Sequence, residues 1–218
     1  MNFAIYYNDN AFLRAARTWK SNLKGGECTL IGITYAFELV SAFRQLKSSG
    51  VPISRGALFV HASEPGFAGL AAKGGVHFAI SGCTIDDVNK AAQYGMQDLS
   101  YVDTAYVGII RKLEKLDWEK DALLELYGCM TGYAAPGNPS LAEVFAKSQG
   151  VRTTGQAGKA YFSRNRETYE EISANDSTVY LRAFYRWRNI IIDLLDGGMM
   201  SSTKWPNRAI PEIAFSPK

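Results

Sequence analysis

An α/β fold, a mostly parallel sheet with helices on its faces, is what this sequence predicts. Three observations predict it. Up to His61, short apolar runs alternate with amphipathic stretches in the order β-α-β-α-β. A later run, Ala122–Tyr127 (ALLELY), is apolar and bounded by Gly128, which reads as a buried parallel strand. Of 218 residues 47% are hydrophobic, and no low-complexity linker interrupts the first 165, enough chain for one sizeable core.

Phe3–Tyr7 is the first strand, and Asn8-Asp9-Asn10 supplies turn and N-cap chemistry. Phe12, Ala16, Trp19 and Leu23 recur at helical spacing, and Gly25-Gly26 ends that helix. Cys28–Thr34 is a second strand. Tyr35–Ser48 is an amphipathic helix with Leu39, Val40, Phe43 and Leu46 on one face and Gly50 as its stop. Gly56–His61 is the third strand. Phe67–Leu70 and Val76–Ile80 flank Lys73-Gly74-Gly75 as a small hairpin. Helices are expected over Asp86–Leu99 and after Asp103, the second with Tyr106, Ile109, Ile110 and Leu113 inward. Ala122–Tyr127 follows as the fourth parallel strand. After a loop over Met130–Pro139, Ser140 and Glu143 form a capping box that opens a helix ending at Gly150. Val151–Phe162 is a fifth, bent strand with internal glycines. The spacing of Tyr180, Phe184, Trp187, Ile191 and Leu194 predicts a helix over Asp176–Asp196, although TVYLRAFYRW also suits a strand. One domain is expected over 1–198, with a poorly structured tail over 199–218.

The net charge of +3, from 24 basic and 21 acidic residues, argues against a nucleic-acid partner. Three scattered cysteines make neither a disulfide framework nor a zinc site, and no metal or cofactor is expected. The opening residues lack the basic and apolar regions of a signal peptide, and no apolar stretch approaches the roughly 18 residues of a membrane helix. The expectation is a chain that folds in a cytosol and either stays there or is exported without an N-terminal signal.

Chemistry concentrates at two strand ends. Cys129 follows the fourth parallel strand, where functional groups gather in parallel sheets. His61, one of only two histidines, closes the third. If those strands are neighbours, about 4.8 Å apart, thiol and imidazole emerge on one rim, the arrangement a Cys–His nucleophile needs. His77 and Cys83 are separated by six residues along one extended segment, roughly 20 Å, and meet only if a turn intervenes. The plain alternative for Cys129 is a buried structural thiol, the commonest fate of a free cysteine, and for His61 a satisfied strand-end histidine. Cys28, Cys83 and His77 read as structural. Arg182, Arg186 and Arg188 read as a solvated helix face.

Other chemistries fail on their own requirements. A phosphatase loop needs arginine where Ala135 stands. A nucleophile elbow needs glycines where Tyr127 and Thr131 stand, and Gly158-Lys159 is followed by Ala160 rather than the Ser or Thr of a phosphate-binding loop.

The strand ending LFVHAS (Leu58–Ser63), the later LLELYGC (Leu123–Cys129), the capped helix SLAEVFAKSQG (Ser140–Gly150) and the strand TTGQAG (Thr153–Gly158) together resemble the caspase-like (clan CD) cysteine peptidases. The bacterial branch found in large secreted proteins and toxins is the most similar. The resemblance covers about residues 56–163. It implies a three-layer, caspase-like α/β sandwich and a cysteine endopeptidase acting on a protein or peptide substrate. Cys129 would be the nucleophile and His61 the general base or acid. The backbone N–H groups of Ala62 and Cys129 would form the oxyanion hole. It also implies a bacterial effector or toxin domain. The family carries glycine where this chain has Ala62. Two other readings remain open: a catalytically inactive relative that binds a partner through the same rim, and an unrelated doubly wound ligand-binding domain.

Overall fold

In a computed structural model, residues 1–34, 36–63, 75–77, 104–106, 110, 113–134, 139–185 and 208–217 are described. Their elements run β1 (Asn2–Tyr7), α1 (Asn10–Ser21), β2 (Cys28–Ile33), α2 (Ala36–Ser48), β3 (Ile53–Phe59), β4 (His61–Ser63), β5 (Gly75–His77), β6 (Thr104–Tyr106), β7 (Trp118–Tyr127), α3 (Leu141–Gln149), β8 (Arg152–Gly155), β9 (Ala160–Ser163), β10 (Tyr180–Ala183) and β11 (Ile213–Phe215). Six strands form one sheet in the order β11-β8-β7-β3-β1-β2. All its pairs are parallel except β11 with β8. This is an α/β arrangement of mostly parallel strands flanked by helices.

Alternation along each strand builds a core on either face. Phe3 and Ile5 of β1, Leu58 of β3, and Leu124 and Leu126 of β7 face one way, against Leu39, Phe43 and Leu46 of α2 and Leu141, Val144 and Phe145 of α3. Ala4, Ala57 and Phe59 face the other way, against Phe12, Ala16 and Trp19 of α1 and Val179 and Leu181 beside or within β10. Each large apolar side chain so buried contributes about 1.5–3 kcal/mol. Two caps fix where helices begin. Asp9 accepts from the Ala11 N–H at 2.8 Å, and Ser140 accepts from the Glu143 N–H at 3.1 Å, each worth about 1 kcal/mol. The Glu143 carboxylate pairs with Lys147 at 2.9 Å, so only one half of the expected capping box is made.

Several elements differ from the sequence reading. The third strand begins at Ile53 and ends at Phe59, and His61 opens β4, which pairs antiparallel with β5. Thr104–Tyr106 forms strand β6 beside β5, where a helix was expected; β-branched Thr and aromatic Tyr suit a pleated surface. The expected Val151–Phe162 strand splits. Its first part joins the main sheet as β8, and its last pairs with β10 in a separate two-stranded sheet. Tyr180–Ala183 is strand rather than helix. Val179, Leu181 and Ala183 are buried with a period of two, and that pattern prevails over the helical spacing of the aromatics. Ile213–Phe215, in the stretch read as poorly structured, forms the sheet's antiparallel edge. The Phe67–Leu70 arm of the expected hairpin, the Asp86–Leu99 helix, Cys83, Arg186 and Arg188 lie outside the described residues. No helix among the described residues is long and apolar enough to cross a membrane.

Candidate active site at the strand rim

The connection from β1 leads through α1 to β2 on one side, and the chain then returns to β3 on the other. The strand order therefore reverses between β1 and β3. In open α/β sheets that reversal leaves a crevice at the strands' carboxyl ends. Tyr7, the last residue of β1, and His61, just past β3, lie there with ring centroids 5.6 Å apart.

β3 and β7 are parallel neighbours, with Ala57 opposite Glu125 and Phe59 opposite Tyr127. The Val60 N–H donates to the Tyr127 carbonyl at 3.0 Å, continuing the ladder past the last formal strand residue. His61 and Cys129 each stand two residues beyond the Phe59–Tyr127 pair, so the pleat directs both toward the α1 side. Independent contacts agree. His61 packs edge-on against Phe12 of α1, at 4.9 Å between centroids, and Phe12 packs against Phe162 of β9 at 4.9 Å. The sulfur of Cys129 meets β9 at Ala160.

The turn that carries Cys129 is held tightly. A side chain at Gly128 would place its Cβ 2.6 Å from the Val60 carbonyl oxygen, so only glycine lets the two strand ends come this close. Thr131 is fully buried. Its hydroxyl lies 3.1 Å from the Leu126 carbonyl and 3.2 Å from that of Gly128, and accepts from the Gln156 N–H at 2.9 Å. Met130 has φ 58°, the only non-glycine with positive φ among the described residues. Its N–H donates to Gly158 and that of Gly132 to Gln156, so segment 156–160 runs alongside the turn.

Cys129 is half-buried. The Ala160 N–H donates to its sulfur at 3.3 Å, and the Ala160 carbonyl lies 3.7 Å away. No hydrogen bond joins Cys129 to His61 among the described residues; the structure brings the two to one rim and one face without closing that contact. Burial pushes the His61 imidazole below its ordinary range, and the Asp9 carboxylate opposes this, so the resting imidazole is neutral near pH 7. Ala62 sits on β4 opposite Val76, its side chain turned into the α2-side core and its backbone immediately past the histidine. Cys28 is a buried thiol pushed up by burial, with Lys20 opposing, as expected of a structural cysteine. Arg182 lies on β10 and pairs with Glu212 at 3.7 Å, not on a solvated helix face.

The sequence reading passed over the groups beneath this rim. Glu125, buried in the strand, accepts from Trp19 Nε1 at 2.9 Å, Arg55 at 2.6 Å and the Tyr127 hydroxyl at 3.0 Å. Burial and the adjacent Glu125 hold the Tyr127 hydroxyl well above its ordinary range. A carboxylate interrupting ALLELY was the available signal, since a buried Glu needs partners. A cleft of about 660 Å³ opens over this network, lined by Trp19, Arg55, Phe59, Glu125, Tyr127 and Arg182, and includes neither Cys129 nor His61. Among the described residues, no group of His, Cys, Asp or Glu is arranged to hold a metal ion. Comparison with protein-family models, curated proteins and solved structures finds no match to this chain.

Proposed function

We propose that the chain is a thiol-dependent hydrolase, a caspase-like cysteine endopeptidase with a Cys129/His61 dyad. The observation that supports this reading is the register of β3 and β7, whose last pair, Phe59 and Tyr127, stands two residues before His61 and Cys129. His61, neutral at rest, takes the thiol proton as general base. The sulfur leaves Ala160 by rotation about its Cα–Cβ bond and attacks the carbonyl carbon of a peptide bond. The oxyanion that forms is held by the N–H groups of Ala62 and Cys129. Collapse breaks the C–N bond, and the imidazolium returns its proton to the leaving amine. Water then hydrolyses the thioester, with His61 accepting the water proton and the thiol restored. The substrate class is protein or peptide, and a bacterial effector or toxin domain is the setting the sequence resemblance implies.

Labelling with an electrophilic thiol probe, followed by peptide mapping, tests this. Cys129 is expected to label well ahead of Cys28, and Cys129→Ala to abolish both labelling and peptide cleavage; cleavage retained by Cys129→Ala would sink the reading. A second reading has one specific support. The sulfur's hydrogen bonds go to Ala160, which suits an inactive relative that binds a partner at this rim. A Cys129 no more reactive than a free thiol would favour it.

A further inference from the structure

We propose that Tyr127 is a positioning residue, setting the approach of His61 to Cys129 through its ring stack on Phe59. The inference rests on the dyad reading above. Phe59 and Tyr127 are the last residues of β3 and β7, they pair in register, and each stands two residues before a member of the dyad. Their rings stack with centroids 4.6 Å apart and planes 7° from parallel. Such a stack holds the two strand ends side by side at the last point where both backbones are still regular.

The stack cannot shift freely, because it belongs to a closed cycle of contacts. The Tyr127 hydroxyl donates to Glu125, Glu125 accepts from the Trp19 indole, and Trp19 packs edge-on against Phe59 at 6.4 Å. Turning the Tyr127 ring breaks either the stack or the hydrogen bond to a buried carboxylate. Glu125 and Tyr127 share a face beside Ala57 and Phe59, and Cys129 and His61 each follow two residues beyond the stacked pair. Any change in spacing or tilt at the stacked rung reaches the dyad one rung later. A displacement of about 1 Å at reacting groups costs on the order of a hundredfold in rate.

A double-mutant cycle on the reactivity of Cys129 tests this, with the full chain, iodoacetamide as probe, and alkylation quantified on the Cys129 peptide. His61→Ala is expected to slow alkylation at least about tenfold. Tyr127→Leu is expected to slow it as much, and the double variant no further, because the histidine's contribution is already lost. Tyr127→Phe, which keeps the ring stack but removes the hydrogen bond to Glu125, is expected to slow alkylation less than Tyr127→Leu. A purely structural role predicts instead that His61→Ala keeps its full effect in the Tyr127→Leu background, and that result overturns the proposal. If His61→Ala has no effect even with Tyr127 in place, the dyad reading itself fails and takes this inference with it. Should Tyr127→Leu not fold, Phe59→Leu breaks the same stack from β3, with the same outcomes expected.

Discussion

At the scale of single residues, His61 packs between two rings. Tyr7 and Phe12 pack on it, and Asp9 is the acidic group whose charge opposes the cost of burying it. Its proton affinity is therefore lower in the folded chain than in the unfolded one, where about 6.5 is ordinary. The sign of the linkage follows. Between the folded and unfolded values the unfolded state binds more protons, so the stability contributed by neutral His61 is fully present above about pH 6.5 and is lost as pH falls from there through the lower folded value. Urea midpoints measured from pH 7.5 down to pH 5 should show this loss, and His61→Gln should show a shallower decline over the same range, whatever its absolute stability. Met130 is the other exceptional residue. Left-handed backbone at a methionine costs about 1–2 kcal/mol, and three inter-segment bonds at 130–132 and 156–158 hold it in place.

Among the elements, the decisive contact for the rim is between the Cys129 turn and the end of β8. Gly132 and Gly155 meet backbone to backbone. A Cβ on Gly155 would stand 2.6 Å from the Gly132 nitrogen, with no flexible side chain to move aside. Gly155→Ala should lower the urea midpoint by the equivalent of about 1–3 kcal/mol and alter thiol-probe labelling of Cys129, whereas Gly50→Ala, with open space around it, should leave labelling unchanged. These elements differed in how legible they were. β7 could be read directly, because an apolar run ending in glycine is what burial on both faces produces. So could β1, β2, α1, α2 and α3, each bounded by a cap or a glycine. β10 could not, because Tyr180 and Phe184 repeat at helical spacing while the residues actually buried alternate. Nor could the break between β8 and β9, since it depends on Gly155 touching Gly132, more than 20 residues earlier in sequence.

For the whole molecule, the strand order decides where chemistry can sit. The reversal between β1 and β3 puts its crevice beside His61, and β7 brings Cys129 up on the adjacent strand. Each residue could be singled out from sequence because it follows an apolar run that is marked locally. Their surroundings could not: Glu125, Tyr127, Thr131 and Ala160 matter through partners that only the fold brings near. The final stretch is part of this assembly. Ala209 and Ile210 bond to Glu167 and Ala183, Ile210 covers Gly158, and β11 pairs with β8. Removing residues 208–218 should therefore lower the melting temperature and leave the β8 edge unpaired. Light scattering should then report association that the full chain does not show.

The place of β11 also has a bearing on synthesis. A ribosome makes β1, β2, β3, β7 and β8 in that order, and the first five sheet strands can pair as they emerge. The outer side of β8 has no partner until Ile213–Phe215 have left the exit tunnel. During that interval the nascent chain presents an open edge, and the segment beside the Cys129 turn has not yet been fastened down. Sheet completion and the final setting of the rim thus fall together, at the close of translation of this segment.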